Sequence, residues 1–277
     1  MKLIILTLHW NKKDSIVRLK DSLIPSLTGI DYQWHIRDNN SSDGSYEEMS
    51  KWNNENIHIT KYDTNNETFS QGMNYLFDFA KPKDDDLILF LNNDVQFADT
   101  KSIQKMINIL ERDRDVGIVG AKLLYTNSNK IQHCGVVFTE NRKLPGSPAL
   151  PIHLFRGTEV TEHQDKNRLF QACTAAVMLL KASDFRAVNG FDDNLKWSFE
   201  DVDLNLKIGK NLGKKIVMCG GVKVYHDESA SLKLNPVNKL YLNSNITYLT
   251  NKWRNKVETD VYNYLKDTNY GLYHGPK

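Results

Sequence analysis

Leu87-Ile88-Leu89-Phe90-Leu91-Asn92-Asn93-Asp94 opens on five apolar residues without alternation and closes on two amides and a carboxylate. Such a run, apolar on both faces, reads as a strand of a parallel sheet covered by helices on each side. Acidic residues Asp84, Asp85 and Asp86 precede it. Upstream, Met73, Leu76, Phe77 and Ala80 have the i, i+3, i+4, i+7 spacing of a core-facing helix, and Ile103, Met106, Ile107 and Leu110 mark another downstream. Residues 2–8, 32–37, 57–62 and 116–119 read as further strands. Ile16, Leu19, Leu23 and Leu27 line a helix that Gly29 stops, and 45–52 is a short helix for which Ser45 is the expected cap. This β-α-β-α alternation predicts an α/β fold: a mainly parallel, Rossmann-like central sheet flanked by helices.

The regularity weakens after Gly120. Residues 131–138 and 175–180 read as strands of a small antiparallel part. Between them, 139–168 reads as a long functional or mobile loop. Residues 201–212 read as a helix, and a strand pair around Gly220-Gly221 ends at Tyr225-His226. The tail from Pro236 starts helical and is rich in Asn, Tyr and Lys; its aromatic residues are expected to pack. The expected organisation is one domain over 1–231, with halves 1–120 and 121–231, and a helical tail over 232–277.

The 277 residues suffice for a sizeable core, and a net charge of +2 gives no strong field toward nucleic acid or an anionic membrane. Cys134, Cys173 and Cys219 are odd in number and irregularly spaced, which suits neither a disulfide framework nor a zinc site. The apolar run at the N-terminus is short for a signal peptide and no small-residue cleavage site follows it. No stretch approaches the roughly 20 apolar residues of a membrane span. A cytoplasmic protein is expected, with the inner face of a membrane as a peripheral location.

Three polar motifs fall where strands of an open α/β sheet end, which is where such sheets bind ligands. In Asp38-Asn39-Asn40-Ser41-Ser42-Asp43-Gly44-Ser45, Asp38 can accept from a nucleobase N–H or a ribose hydroxyl; the plainer reading is a polar turn. Asp94, just past its strand, can bind a hard divalent cation through oxygen. Glu200-Asp201 opens a helix after the Gly190-Phe191-Asp192-Asp193 turn, where a carboxylate can take a proton from a hydroxyl; the plainer reading is favourable charge at a helix N-terminus. His226 can bind the same cation through a neutral ring nitrogen.

Taken together these motifs resemble the inverting family-2 glycosyltransferases of GT-A fold. The resemblance runs from Lys2 to about Ser231 and includes Asp38-Asn-x-Ser-x-Asp43-Gly44-Ser45, Leu91-Asn-Asn-Asp94, Ile131-Gln132-His133-x-Gly135, Gly190-Phe-Asp-Asp, Glu200-Asp201-Val-Asp203 and His226. It is strongest to bacterial rhamnosyl- and N-acetylhexosaminyl-transferase-like members. It implies a nucleotide-sugar donor (UDP favoured over dTDP), Mn²⁺ or Mg²⁺ at Asp94 and His226, Asp201 as catalytic base and Glu200 as a positioning group. Donor contacts are implied for Thr7, His9, Asn11, Asp38, Asn40, Asp43, Asn74, Asn92 and Asn93. Asn92-Asn93-Asp94 stands where Asp-x-Asp is usual, one carboxylate fewer, and the absence of Gln-x-x-Arg-Trp implies a non-processive enzyme. The implied acceptor is a bacterial surface glycan or glycolipid. A hydroxylated DNA base or a protein is the alternative, with Arg142, Lys143, Arg156, Arg168, Lys252, Arg254 and Lys256 as candidate DNA contacts. A non-catalytic nucleotide-sugar-binding module is the alternative of another class. Oligomeric state is left open.

Overall fold

The computed structural model describes residues 1–64, 67–140, 150–227 and 238–276, the side chains of 238–240 excepted. Leu3–His9 (β1), Tyr32–Asp38 (β2), Ile57–Lys61 (β3) and Leu87–Leu91 (β4) form the regular half. Between and after them lie Lys13–Ser26 (α1), Ser45–Met49 (α2), Phe69–Ala80 (α3) and Ser102–Arg112 (α4), with a short strand Val95–Phe97 (β5) before α4. The second half adds Val116–Tyr125 (β6), Ile131–His133 (β7), Val136–Thr139 (β8), Leu150–His153 (β9), Arg168–Phe170 (β10), Val177–Lys181 (β11) and Lys215–His226 (β12). Its helices are Ala182–Ala187 (α5), Glu200–Leu206 (α6), Asn238–Lys252 (α7) and Val261–Lys266 (α8).

The main sheet has ten strands in the order β10-β12-β6-β11-β4-β1-β2-β3, with β5 on β12 and β7 on β6. β3, β2, β1, β4, β6 and β12 run one way, and β11 runs against both of its neighbours. Successive residues of the central strands alternate between two cores, as pleating requires. Leu3, Ile5, Leu87, Leu89 and Leu91 pack with Ile16, Leu19 and Leu23 of α1 and Ile103, Met106 and Leu110 of α4. Ile4, Leu6, Ile88 and Phe90 face the other way, onto Met73, Leu76 and Phe77 of α3 and Phe185 of α5. The unbroken apolar run at 87–91 is therefore a strand covered on both faces, as its composition predicts.

The structure corrects several expectations. The strand expected over 131–138 is broken into β7 and β8 at Gly135, whose φ of +128° suits glycine and whose added Cβ would lie 2.6 Å from the Phe170 ring. The expected loop 139–168 contains β9 and a 3₁₀ turn at Glu162–Asp165 and leads into β10; its 141–149 part lies outside the described residues. The expected strand pair around Gly220-Gly221 is one long strand with a register shift between Cys219 and Lys223. There the chain passes so near Lys166 that a Cβ on Gly220 would lie 2.4 Å from the Lys166 carbonyl oxygen. Helix α2 starts at Gly44 in the left-handed region, and Ser45 bonds Asp43 instead of capping. Of the tail's aromatic residues, Trp253 and Tyr264 are buried, whereas Tyr248 and Tyr262 are exposed. No helix among the described residues is long and apolar enough to cross a membrane.

One buried histidine makes stability depend on pH. His35 of β2 stacks on His58 of β3 with ring centroids 4.7 Å apart, and neither nitrogen of His35 has a partner. Burial, then the His58 charge, lowers His35 from 6.5 to about 4. The unfolded chain therefore binds more protons between these values, and stability falls as pH drops through that window. His9, lowered to about 4, adds to the same slope. Replacing His35 by Phe should shrink the fall in melting temperature between pH 7 and pH 4.5 by about 5–10 °C, since about two pH units of this linkage are worth about 2.7 kcal/mol and each kcal/mol moves a chain near this size by about 2–4 °C. Thermal melts at the two pH values check this, and parallel pH slopes for the two proteins would refute it.

Candidate active site

The residues singled out in the sequence lie at one edge of the sheet. β1, β2 and β12 end there at His9, Asp38 and His226, and β4 runs out there into Asn92. β11, running the other way, begins there. The ladder pairs His9 with Asp38, and the Asn39 N–H donates to the His9 carbonyl at 2.7 Å. Asn11 pins the 38–45 turn to the exit of β1: its N–H donates to Ser41 Oγ at 2.8 Å and its Oδ1 accepts from the Ser42 N–H at 2.9 Å. Asn40 sits in this turn in the left-handed region at φ 57°. Asp38 Oδ1 accepts from the Ser41 N–H at 2.9 Å. Asp43 is raised by burial but lowered more by hydrogen bonds from Ser45 and from the Lys13 N–H, so its carboxyl lies below the ordinary value. Thr7 is buried and accepts from Trp34 Nε1 at 3.0 Å, a bond of the core beneath the site.

Beside Asp38 the site carries buried polar atoms with no protein partner: Asp38 Oδ2, Asn39 Oδ1 and His9 Nε2. An orphaned buried polar atom costs about 1–3 kcal/mol, so a cluster of them requires an explanation. The orientation of His9 is fixed by Asn93, whose amide nitrogen lies 2.9 Å from Nδ1. Burial outweighs the nearby Asp38, Asp43 and Asp94 charges and holds the ring neutral.

Asp94 and His226 meet at 3.0 Å between Oδ1 and Nε2. The Gln132 amide nitrogen donates to the His226 carbonyl at 3.1 Å, which turns Oε1 toward Nδ1 at 2.5 Å. Nδ1 therefore carries hydrogen, and Nε2 faces a carboxylate oxygen, with the Asn92 amide 3.4 Å away. At 3.0 Å the two facing atoms need a proton or a cation between them. One carboxylate oxygen and one imidazole fit Mn²⁺ or Mg²⁺, Mn²⁺ better because imidazole is the softer donor. Among the described residues no cluster of three or more His, Cys, Asp or Glu side chains could hold a metal, so Asp94 and His226 are the two candidate ligands there.

The Glu200-Asp201 pair is tied to the same edge by the start of β11. The Asn92 N–H donates to the Ala176 carbonyl at 3.0 Å, and the Ala175 N–H donates to Asp201 Oδ2 at 3.2 Å. The Val202 N–H donates to Asp201 Oδ1 at 2.7 Å. Glu200 Oε2 is buried without a partner, and burial, then the Asp201 charge, pushes Glu200 up to about 8. At neutral pH Glu200 is thus a hydrogen-bond donor. Asp38, Asp94 and Asp201 are joined through His9, Asn93, Asn92 and the 175–176 backbone along one edge.

The sequence profile of glycosyl transferase family 2 matches residues 4–173, more than half of the chain. The chain belongs to that family. Residues of this chain are 30% identical, over 161 positions, to the O-antigen biosynthesis protein RfbC of Myxococcus xanthus. That match covers 57% of this chain and 12% of RfbC, so the chain spans about an eighth of that relative's length. The structure is similar to that of GalNAc-T7 with UDP, GalNAc and Mn²⁺ (TM-score 0.61, 13% identity, 82% of this chain and 44% of that one). It is also similar to residues 1–349 of S. aureus TarS in complex with UDP (TM-score 0.57, 14% identity, 87% of this chain and 66% of that one). The mixed sheet flanked by helices is the GT-A fold.

Two residues of this family-2 chain that the sequence reading gave no role stand at the site. Gln132 orients His226. His133 is buried behind it, accepts from the Thr174 N–H at 3.3 Å, and is held well below its ordinary value by burial and the neighbouring His153 and His226. The signal available for both was the Ile131-Gln132-His133 stretch itself. Asn74, an implied donor contact, braces the turn that leads to Glu200. Its Nδ2 donates to the Phe191 carbonyl at 3.0 Å and to Asp193 at 3.1 Å, and its Oδ1 accepts from the Phe191 N–H at 2.9 Å. Of the candidate DNA contacts, Arg168 is buried against the His163 and Tyr270 carbonyls and Lys252 pairs with Asp192 and Asp203. Arg142 and Lys143 lie outside the described residues.

Asn74→Ala should destabilise the chain by about 1–3 kcal/mol, because two backbone groups of buried Phe191 lose their partner. The urea midpoint reads this; an unchanged midpoint means that packing of Phe191 alone sets the turn.

Proposed function

We propose that the chain catalyses metal-dependent, inverting, non-processive transfer of a sugar from a nucleotide-sugar donor, UDP-linked in preference to dTDP-linked, to a hydroxyl of a bacterial surface glycan or glycolipid. The observation that carries this reading is the file of polar groups along one sheet edge: the unpartnered Asp38 Oδ2 and His9 Nε2, then the Asp94-His226 pair, then the unpartnered Glu200 Oε2. A base and ribose, a charged diphosphate and a sugar present complementary groups in that order. The UDP named with TarS and GalNAc-T7 supports the donor, and the O-antigen relative supports the acceptor.

In this reading Asp38 and His9 bind the nucleoside, with Asn11, Asn40 and Asp43 shaping the turn that holds it. Asp94 and His226 would hold the cation, with Asn92 and Asn93 fixing their surroundings. Bound there, Mn²⁺ or Mg²⁺ would supply Lewis-acid stabilisation of the diphosphate as it leaves. Asp201 takes the proton of the acceptor hydroxyl, whose oxygen attacks the anomeric carbon opposite the diphosphate. The bond from that carbon to the phosphate oxygen breaks, and configuration inverts. Glu200, protonated, donates to a sugar or acceptor oxygen and leaves the base role to its neighbour.

Asp201→Asn should lower turnover about 10²- to 10⁴-fold, the usual worth of general-base assistance, and leave UDP affinity unchanged. Near-wild-type release of UDP by the variant would remove Asp201 from the mechanism. Gln132→Leu releases the His226 ring and should weaken Mn²⁺-dependent UDP binding about 10- to 100-fold, the typical effect of losing a ligand's outer partner. Calorimetry with UDP, with and without Mn²⁺, checks it; equal metal-dependent affinities in the two proteins would contradict the metal role of His226.

A further inference from the structure

Trp197 and Phe199 precede Glu200 with φ of 67° and 68°, two bulky residues in the left-handed region within three positions. Each is strained and persists only where the surroundings over-determine it. The surroundings here are α7. Asn245, 3% exposed, donates its amide to the Lys196 carbonyl at 2.6 Å, to Ser198 Oγ at 2.9 Å and to the Ser198 carbonyl at 3.3 Å. One turn on, Tyr248 OH donates to Asp192 at 2.9 Å. At the end of the helix Lys252 lies 2.5 Å from Asp192 and 2.9 Å from Asp203, and Trp253 Nε1 donates to Asp203 at 2.8 Å. Asp203 has no exposed surface, and Lys207 is its other cationic neighbour, at 3.6 Å. Residues 245, 248, 252 and 253 share one helix face, with buried Leu249 among them.

The chain is therefore gripped on both sides of Glu200-Asp201, before it at 196–198 and after it at Asp203, by a helix that begins some 35 residues later in sequence. We propose that α7 is a positioning strut for the Glu200-Asp201 turn, in which Asn245, Lys252 and Trp253 fix the carboxylate of Asp201 relative to the start of β11. The positioning of catalysis rests on the role proposed above for Asp201; the grip on the turn does not. The Ala175 N–H bond to Asp201 defines one side of the carboxylate, and the strut defines the backbone that carries it. None of these three residues touches the file of groups assigned to the donor, so their loss should act on the acceptor side alone.

The test compares Asn245→Ala, Trp253→Phe, Lys252→Met and Lys252→Arg as full-length proteins. Hydrogen exchange of the 195–204 segment should rise about tenfold or more in the first three, one hydrogen bond or so per variant, while the β1 and β4 segments stay protected. Lys252→Arg, which keeps charge and reach, should restore protection. Calorimetric affinity for UDP with Mn²⁺ should not change, and UDP release from any nucleotide sugar the wild type turns over should fall up to about 10²-fold, as a misplaced catalytic group predicts. Unchanged exchange at 195–204, an equal rise in β1 and β4, or no rescue by Arg would overturn the strut. A loosened turn together with an active Asp201→Asn protein would leave the grip standing and overturn the base assignment instead.

Discussion

β11 enters the sheet between β4 and β6 and runs against both, pairing Val177 with Leu91 and Met178 with Gly120. That reversal governs the site. A strand in the common direction would bring its end to the binding edge; β11 brings its beginning, and with it the residues just before it. Three consecutive backbone groups act there: the Thr174 N–H on His133, the Ala175 N–H on Asp201 and the Ala176 carbonyl on the Asn92 N–H. Ala175 packs into one core and Ala176 into the other, so the segment cannot slide without disturbing both faces of the sheet. Asp201 and the Asp94 loop are thereby set relative to each other by main chain, whose geometry varies less than that of long side chains.

The binding edge is also where the molecule tolerates its costs. Unpartnered buried atoms occur elsewhere, as at His35 of β2, but here several gather at one edge and two bulky residues beside them hold left-handed backbone. Such features weaken a fold locally and persist when neighbouring structure holds them in place. Two braces do so. Asn74 of α3 ties the turn at Phe191, and α7 ties the segment from 192 to 203. Both braces use polar side chains on helices, one from each half of the chain.

That division explains what could be read in the sequence. Ile103, Met106, Ile107 and Leu110 of α4, and Met73, Leu76 and Phe77 of α3, are buried as their spacing requires, because burying an apolar stripe is what forms those helices. The carboxylates at strand ends were legible because an open α/β sheet leaves few other places for such groups. β5 and α5 were not legible: three and six residues carry too little periodicity. The break at Gly135 and the bulge at Gly220 depend on Phe170 and Lys166, which only the folded chain brings near. The binding face of α7 mixes Asn245, Tyr248, Lys252 and Trp253 with one buried leucine, and a pattern sought through apolar spacing passes over it. Gln132 was visible as a motif, but its task is a hydrogen bond to a residue 94 positions away.

The charges at the edge bear on how the proposed cofactor would bind. Asp94 meets the His226 imidazole, and Arg18, which lines a small cavity together with Asp94, is bonded to Asp227 and Ser15. A diphosphate arriving beside Asp94 would face a carboxylate, a repulsion that a divalent cation would remove. With asparagine at 92, the Asp94-His226 pair would offer that cation one formal negative charge where a second carboxylate would double it. Asp94 and His226 alone would hold a hard cation weakly. On the proposed function, metal and nucleotide would therefore complete one site together, and the hold of Gln132 on Nδ1 matters because it keeps Nε2 of His226 directed at that site in the absence of either.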